Sequence, residues 1–257
     1  MKLTFLGTGT SFGVPQLGCH CEVCRSTDPR DKRTRVGAVV ESQGTRILID
    51  TPPELRLQLL AAGIDDVDAV LFTHAHADHA HGIDDLRAIN VRRKAAIPVY
   101  GSAETLRELA RKFDYIFDER MRPLPGTSKP EAVPHALAAG ERFTIGDIEI
   151  VAVPVPHGNV TVFAYRMGPL AYVTDAKSLP ASALDALRGA RVLVINALFR
   201  TEHPAHLSIP QAVSMAREIG AERTYLTHLT HDNFHAVLEA ELPPGIRPAF
   251  DGLTVNI

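Results

Sequence analysis

The chain has 257 residues, of which 45% are hydrophobic and 22% charged, an ordinary globular balance with length enough for one large domain or two small ones. Its formal net charge of −3 argues against a broad basic footprint for nucleic acid. Met1-Lys2 runs straight into Leu3-Thr4-Phe5-Leu6 with no long apolar segment or cleavage site, and no apolar run reaches membrane-spanning length, so a cytoplasmic protein without a signal peptide is expected. Lys2 to Leu6 reads as a strand, followed by the flexible loop Gly7-Thr8-Gly9-Thr10-Ser11-Phe12-Gly13. That loop lacks the Gly-Lys-Ser/Thr of a nucleotide-binding loop and is by itself only a turn.

All three cysteines fall in Gly18-Cys19-His20-Cys21-Glu22-Val23-Cys24. Cys19, Cys21 and Cys24 are close enough to share one tetrahedral zinc, and a closed site would need a fourth ligand from elsewhere. Val36–Val40 and Arg46–Asp50 read as a hairpin turning at Gln43-Gly44. A helix then runs from Thr51-Pro52-Pro53-Glu54 to about Ala62, stopped by Gly63. Asp50, at a strand end, is either a turn residue or a partner that orients a ligand histidine.

The apolar run Ala69-Val70-Leu71-Phe72 leads into His74-Ala75-His76-Ala77-Asp78-His79. Four metal-ligand types in six positions follow a buried strand. On extended chain His74 and His76 point the same way, and a following helical turn would swing Asp78 and His79 toward a neighbouring point. Beyond it, a helix is expected over Asp84–Arg93, a strand at Pro98–Tyr100, and a helix capped by Ser102. The proline-rich stretch 113–140 is expected to be an irregular insertion packed on the main body. His135 within it has no evident role.

Strands follow at Asp147–Val153, Thr161–Arg166, Pro169–Val173, Arg191–Ile195 and Arg223–Leu226, with a short helix at Pro180–Leu187. Ser208-Ile209-Pro210-Gln211 opens a capped helix that ends at Gly220. Two short strands are expected around Arg247–Phe250 and Leu253–Ile257. Groups of strands followed by helices recur after about residue 140. This pattern suits an α/β fold, an αββα sandwich of two mixed sheets packed face to face with helices outside, built as one domain over 1–257.

Strand ends carry ligand types four times: the His74–His79 motif, His157, Asp175 and His228. Together they offer five histidines and two aspartates, enough for two metals. One division gives His74, His76 and His157 to the first ion, and Asp78, His79 and His228 to the second, with Asp175 bridging. Two ions ~3.5–4 Å apart can activate a shared hydroxide and clamp both oxygens of an in-line displacement. The leaving group then needs a proton. His203 and His206 are the candidates, and His206 is preferred because it lies against the capped helix. Asp78 and His206 are thus the candidate catalytic residues.

Thr73-His74-Ala75-His76-Ala77-Asp78-His79, with His157, Asp175 and His228 downstream, resembles the metallo-β-lactamase superfamily. Leu6-Gly7-Thr8-Gly9-Thr10 leading into the cysteine cluster, Ala205-His206-Leu207-Ser208, and Leu226-Thr227-His228-Leu229-Thr230-His231 resemble its PhnP-type cyclic phosphate phosphodiesterases over nearly the whole chain. That resemblance implies His206 as general acid and His231 as the fourth ligand of a structural zinc on Cys19, Cys21 and Cys24. It also implies two catalytic divalent metals, zinc or manganese. The expected partner is a small-molecule phosphodiester, with no membrane and no nucleic acid; a homodimer is the candidate assembly. The competing readings are a tRNA 3′-end endonuclease, a thioester or lactone hydrolase, and a non-catalytic accessory protein of the same fold. The absence of a long basic arm weighs against the first, the histidine acid against the second, and the complete ligand set against the third.

Overall fold

A computed structural model describes residues 1–118 and 120–257. In chain order the strands are β1 (Lys2–Gly7), β2 (Gly37–Ser42), β3 (Thr45–Ile49), β4 (Ala69–Leu71), β5 (Ile97–Ser102), β6 (Ala132–Leu137), β7 (Arg142–Ile145), β8 (Ile148–His157), β9 (Val160–Met167), β10 (Leu170–Val173), β11 (Val192–Asn196), β12 (Arg223–Thr227), β13 (Ile246–Pro248) and β14 (Thr254–Asn256). The helices are α1 (Glu22–Arg25), α2 (Leu55–Ala62), α3 (Ala77–Ala80), α4 (Leu86–Arg93), α5 (Ala103–Lys112), α6 (Asp114–Phe117), α7 (Ala181–Leu187), α8 (Ile209–Ile219) and α9 (His235–Glu241).

The strands make two seven-stranded sheets, ordered β14-β1-β2-β3-β4-β5-β6 and β13-β12-β11-β10-β9-β8-β7. Each is mixed: an antiparallel set (β14-β1-β2-β3 in one, β7-β8-β9-β10 in the other) continues into a parallel set. Alternation explains the layers. In β3, Ile47 and Ile49 face the other sheet while Leu48 faces the helices; in β11, Val192 and Val194 face inward while Leu193 and Ile195 face the helices. The inner layer also holds Phe5, Tyr165 and Tyr172. Leu55 and Leu59 of α2, Leu86 of α4 and Leu109 of α5 cover the first sheet, and Leu184 of α7, Ala212 of α8 and Leu238 of α9 cover the second. This is the expected αββα arrangement. No helix among the described residues is long and apolar enough to cross a membrane.

Local chemistry sets the boundaries. Gln43 and Gly44 both adopt positive φ, the turn a two-residue hairpin needs. Gly63 and Gly220 stop α2 and α8 in the left-handed conformation. Ser208 accepts from the Gln211 backbone N–H while the Gln211 side chain accepts from Ser208, the reciprocal cap that the sequence announces.

The stretch 113–140 is more regular than expected. It contains α6 and the edge strand β6, which pairs in parallel with β5 from Ile97↔Ala132 to Ser102↔Leu137. An edge strand tolerates Pro134 because one side of its backbone is unpaired, so its prolines do not exclude sheet. Glu119, within this stretch, lies outside the described residues. His135 stacks on Tyr100 with ring centroids 4.7 Å apart. The two terminal strands form as expected but in different sheets: β13 pairs with β12, and β14 with β1.

Candidate metal centre

The centre lies between the sheets at the strand ends. β4 delivers Thr73 and His74, the chain stays extended through His76, and α3 then turns Asp78 and His79 inward. The second sheet contributes His157 at the end of β8, Asp175 after β10 and His228 after β12. Two contacts fix the sheets to one another here. The Phe163 N–H donates to Thr73 O at 2.9 Å, and the Tyr165 hydroxyl to Phe72 O at 2.7 Å.

Three residues at the centre hold left-handed backbone: Asp50 (φ 61°), Asp175 (φ 57°) and His228 (φ 58°). This region is sterically unfavourable for residues with a Cβ and gathers at functional sites. Each ends a strand abruptly and turns its side chain back over the sheet edge. Asn196, at the end of β11, secures the turn after Asp175: its Oδ1 accepts from Ala176 N–H at 2.8 Å and its Nδ2 donates to Ala176 O at 3.0 Å.

Ligand-type atoms converge in overlapping groups, each within 4.8 Å: His74, His76 and His157; Asp78, His79 and His228; and His74, His79 and Asp175. The first two coincide with the division expected from the sequence, and Asp175 lies between them. Its Oδ2 is 3.1 Å from His79 Nε2, while its Oδ1 is 3.3 Å from His228 Nε2 and 3.8 Å from His157 Nε2.

Hydrogen bonds set the ring tautomers. His79 Nδ1–H donates to Asp50 Oδ2 at 2.7 Å, and His157 Nδ1–H to Ala205 O at 2.9 Å, leaving both Nε2 lone pairs free. Thr73 donates to Asp50 twice, from its backbone N–H and its hydroxyl, each at 2.8 Å. With its proton committed there, Thr73 Oγ1 accepts from His74 Nδ1–H at 3.0 Å. Asp50, fully buried, thus orients His79 directly and His74 through Thr73. Both sequence readings of Asp50 hold, because it makes the turn and orients a histidine.

The buried polar atoms without hydrogen-bond partners include His79 Nε2 and both ring nitrogens of His228. Asp175 lies near both rings without hydrogen-bond alignment. Orphaned ring nitrogens in so buried a place are costly unless they bind something. Five imidazoles and two carboxylates suit divalent zinc, manganese or iron, so the residues fit such cations. Electrostatics agree. Burial disfavours the His79 imidazolium, yet Asp175, Asp78 and Asp50 together outweigh it and hold the ring well above its ordinary value. Burial likewise opposes ionised Asp175, and His228, His79 and His74 overcome it, keeping that carboxyl well below the usual range. Burial pushes His74 well down. Such mutually shifted groups are the signature of a concentrated charged site.

His206 stands beside this set. Its Nδ1 is buried, has no hydrogen-bond partner and lies 3.6 Å from Asp175 Oδ1. Its ring stacks on His228 at 4.9 Å and meets His157 edge-on at 4.7 Å. Burial, then the neighbouring His228 and His157, push it down to about 3 against the pull of Asp175. His203 is one step further out, its ring 5.2 Å from that of His206, with Nδ1 accepting from the Ala205 N–H at 3.2 Å.

A second cluster joins sequence-distant segments. Cys19, Cys21 and Cys24 place their sulfurs 3.3, 3.4 and 3.5 Å from His231 Nδ1. A tetrahedral zinc with three thiolates and one imidazole has S···N edges of about 3.5 Å, given Zn–S of about 2.3 Å and Zn–N of about 2.0–2.1 Å. The Cys24 backbone N–H lowers the Cys21 thiol to about 6, whereas burial pushes Cys24 up to about 11. Beneath this cluster the Arg33 guanidinium, 3% exposed, donates to Thr8 Oγ1 at 2.8 Å and Ala249 O at 2.6 Å, with His235 Nδ1 at 3.3 Å. The His235 backbone N–H donates to Asp31, and the Leu229 N–H to Thr8 O. The segment carrying His228 and His231 is therefore braced at both ends. The sequence reading passed over this network and the Asn196 clamp. For Asn196 the available signal was the one used for the donors, a polar residue closing a buried strand.

Known proteins agree with this geometry. The model of the β-lactamase superfamily domain matches residues 45–229. A crystal structure of a new diphosphatase from the PhnP family is 39% identical, covering 99% of this chain and 96% of that one, with a TM-score of 0.91. Zinc-bound PqqB from Methylobacterium extorquens shares the fold, with 19% identity, complete coverage of both chains and a TM-score of 0.80. An octanoyltransferase of Porphyromonas gingivalis is 41% identical over 263 residues, spanning 100% of this chain and 52% of that protein. A ribonuclease Z of Bradyrhizobium is 30% identical over 64% of this chain and 49% of that protein. The chain thus spans about half the length of these two curated relatives. With fold, donor geometry and relatives in agreement, the chain belongs to the metallo-β-lactamase superfamily and is of the PhnP type.

Proposed function

We propose that this metallo-β-lactamase-fold hydrolase is a phosphodiesterase acting on a small cyclic or linear phosphodiester. The donors for two catalytic divalent cations are His74, His76 and His157, then Asp78, His79 and His228, with Asp175 shared. Zinc and manganese both suit that set, and the thiolates of Cys19, Cys21 and Cys24 with His231 favour a third, structural zinc. When bound, the catalytic cations supply Lewis acidity and an activated water.

The observation that carries this reading is His206. It is a further histidine beyond the seven donors, held against them with an unpartnered nitrogen 3.6 Å from Asp175. An alkoxide leaving from phosphorus needs a proton; burial and the neighbouring rings hold free His206 down to about 3, and an anionic phosphodiester bound beside it would favour the protonated ring that donates as the P–O bond breaks. A thiolate leaving group needs no such donor. The surrounding rings and the helix cap at Ser208 fix the position of His206. The 39% identity to a PhnP-family diphosphatase supports phosphorus chemistry, and the net charge of −3 supports a small substrate over tRNA.

The similarity of this chain to about half of an octanoyltransferase favours one second reading, hydrolysis of an acyl thioester at the same centre. One panel separates the two, with bis(p-nitrophenyl) phosphate, a 2′,3′-cyclic nucleotide, a tRNA precursor and octanoyl thioester, each run with zinc and with manganese. Phosphodiester turnover should dominate. His206→Ala should slow it by about 100-fold or more with metal content unchanged. Dominant thioester turnover, or a fully active His206→Ala, would reject the proposal.

A further inference from the structure

Residues 197–208 link β11 to α8 without regular structure and carry His203 and His206. The neck of this loop is closely bonded: Leu198 N–H donates to Leu207 O at 2.9 Å, Leu207 N–H to Ala176 O at 2.8 Å, and Ile209 N–H to Phe199 O at 2.8 Å. The arm beyond the neck is open, with Thr201, Glu202 and Pro204 exposed. Its inner side meets the donor set, where Ala205 O accepts from His157 and the His206 ring lies against His157 and His228. A loop so exposed opens more readily than the sheets beneath it, and His206 moves with it.

One side chain of the arm reaches a firm anchor. Arg200 Nε donates to Asn233 Oδ1 at 2.7 Å, and its Nη1 to Glu241 Oε2 at 2.6 Å. Asn233 is 3% exposed. It stands two residues after His231, whose ring meets the three cysteine sulfurs, and two before His235, whose N–H donates to Asp31 at 2.6 Å. Phe234, between them, packs on Val14, Val23 and Cys24. That segment is held from both sides, and Arg200 carries its rigidity across to the loop. The two bonds of Arg200 are unequal. Its pairing with Glu241 is about half exposed and screened by solvent. The bond to buried Asn233 is better shielded, and the planar guanidinium fixes its direction. The other side-chain bond from the arm, Glu202 accepting from Gln211 Nε2 at 3.2 Å, lies on the exposed surface.

We propose that Arg200 is a positioning residue for the general acid: through Asn233 it fastens the loop of His206 to the segment that the cysteine–His231 cluster holds. This rests on the phosphodiesterase reading for the role of His206. Among the described residues Arg200 makes no hydrogen bond or ion pair with His206 or the metal donors, so it acts only on where the acid sits. Misplacing a reacting group by about 1 Å costs about 100-fold. A loosened loop that still visits the right position should lose about tenfold of what a general acid supplies. That loss falls only where a proton is needed. A ribose alkoxide needs one, whereas p-nitrophenolate is a stable anion and leaves with little help.

The test compares Arg200→Ala, Asn233→Ala and the double variant, each metal-loaded, on adenosine 2′,3′-cyclic phosphate and on bis(p-nitrophenyl) phosphate. In each single variant kcat for the cyclic nucleotide should fall about tenfold, and in the double variant no further, with metal content unchanged. For the nitrophenyl ester kcat should stay within about twofold of wild type. Equal losses on both substrates, additive losses in the double variant, or an undiminished rate on the cyclic nucleotide overturns the proposal. Should Asn233→Ala disturb the cysteine cluster, Arg200→Ala decides alone. Hydrogen exchange reads the tether without turnover. The Ala205 and Leu207 amides, both hydrogen-bonded, should exchange about tenfold faster in Arg200→Ala, with the amides of β11 unchanged. Faster exchange with neither substrate cleaved supports the tether and ends the phosphodiesterase reading. Unchanged exchange overturns the tether whichever substrate is cleaved.

Discussion

Asp50→Asn isolates the orienting role of one buried carboxylate. Asp50 accepts three hydrogen bonds, one on Oδ1 from the Thr73 backbone and two on Oδ2 from the Thr73 hydroxyl and His79 Nδ1. Asparagine tolerates φ 61° and keeps the shape. Its amide oxygen must face the Thr73 N–H, which cannot give up its proton, so the NH₂ group falls opposite His79 Nδ1. Two donors then confront each other. The imidazole relieves the clash by moving its proton to Nε2, the very atom that points at Asp175 and Asp78. A protonated Nε2 cannot ligate. The loss of charge-assisted bonds should cost about 1–3 kcal/mol, or roughly 3–10 °C in Tm for a chain of this size. Affinity at the Asp78–His79–His228 donor set should fall about 10- to 100-fold, the usual cost of losing the partner that orients a ligand histidine. Elemental analysis against a graded chelator measures this alongside thermal melting. A variant that melts a few degrees lower yet retains both catalytic metals with wild-type affinity would refute the tautomer argument. Asp50→Ala is the coarser control: it leaves two buried N–H groups unpaired, at about 1–3 kcal/mol each, and should lose stability and metal together.

Cys21→Ser should release one metal equivalent while the others stay, and should lower Tm by several degrees, because a hard hydroxyl replaces a thiolate. Elemental analysis showing full retention would reject the four-ligand site. The Arg33 brace predicts a pH dependence. Burial, Arg33 and Arg30 depress His235 to about 4 against the weaker pull of Glu239 and Asp28. Between its ordinary 6.5 and about 4, the unfolded chain takes up a proton that the folded chain refuses. Stability is therefore lost as pH falls through this window, by at most about 3 kcal/mol. His235→Gln keeps an acceptor for Arg33 and removes that slope. Parallel stability–pH curves for wild type and variant would contradict it.

The sequence discloses the centre more fully than its supports. Buried strands announce themselves by unbroken apolar runs, and a ligand type placed just after such a run stands out, which is why His74–His79, His157, Asp175 and His228 were legible. β6 and β7 were not, because both lie at sheet edges. β6 is exposed over Val133–Ala136 and carries no hydrophobic signature, and β7 alternates exposed Arg142 and Thr144 with inward Phe143 and Ile145 over only four residues, too short for the alternation to stand out. α9 spans only His235–Glu241 and follows a loop, too short for its periodicity to register. The left-handed backbone at Asp50, Asp175 and His228 was not legible, since Asp and His adopt positive φ more readily than most residues but do so at few of their positions. It is imposed by the packing of two sheets around a shared point. The Arg33 network was hidden for the same reason: its partners Thr8, His235 and Ala249 lie at opposite ends of the chain.

The donors are also divided in time. His74, His76, Asp78 and His79 leave the ribosome well before His157, Asp175 and His228, and Cys19, Cys21 and Cys24 wait for His231. Neither catalytic set has its three donors within the first sheet's residues, so a nascent chain can hold these cations only weakly until the second sheet docks. Their capture would then report completion of the fold, acting as a late latch between the two sheets. Under chelation, backbone amides at the facing strand ends should exchange with solvent long before those in the middle of β3 or β11.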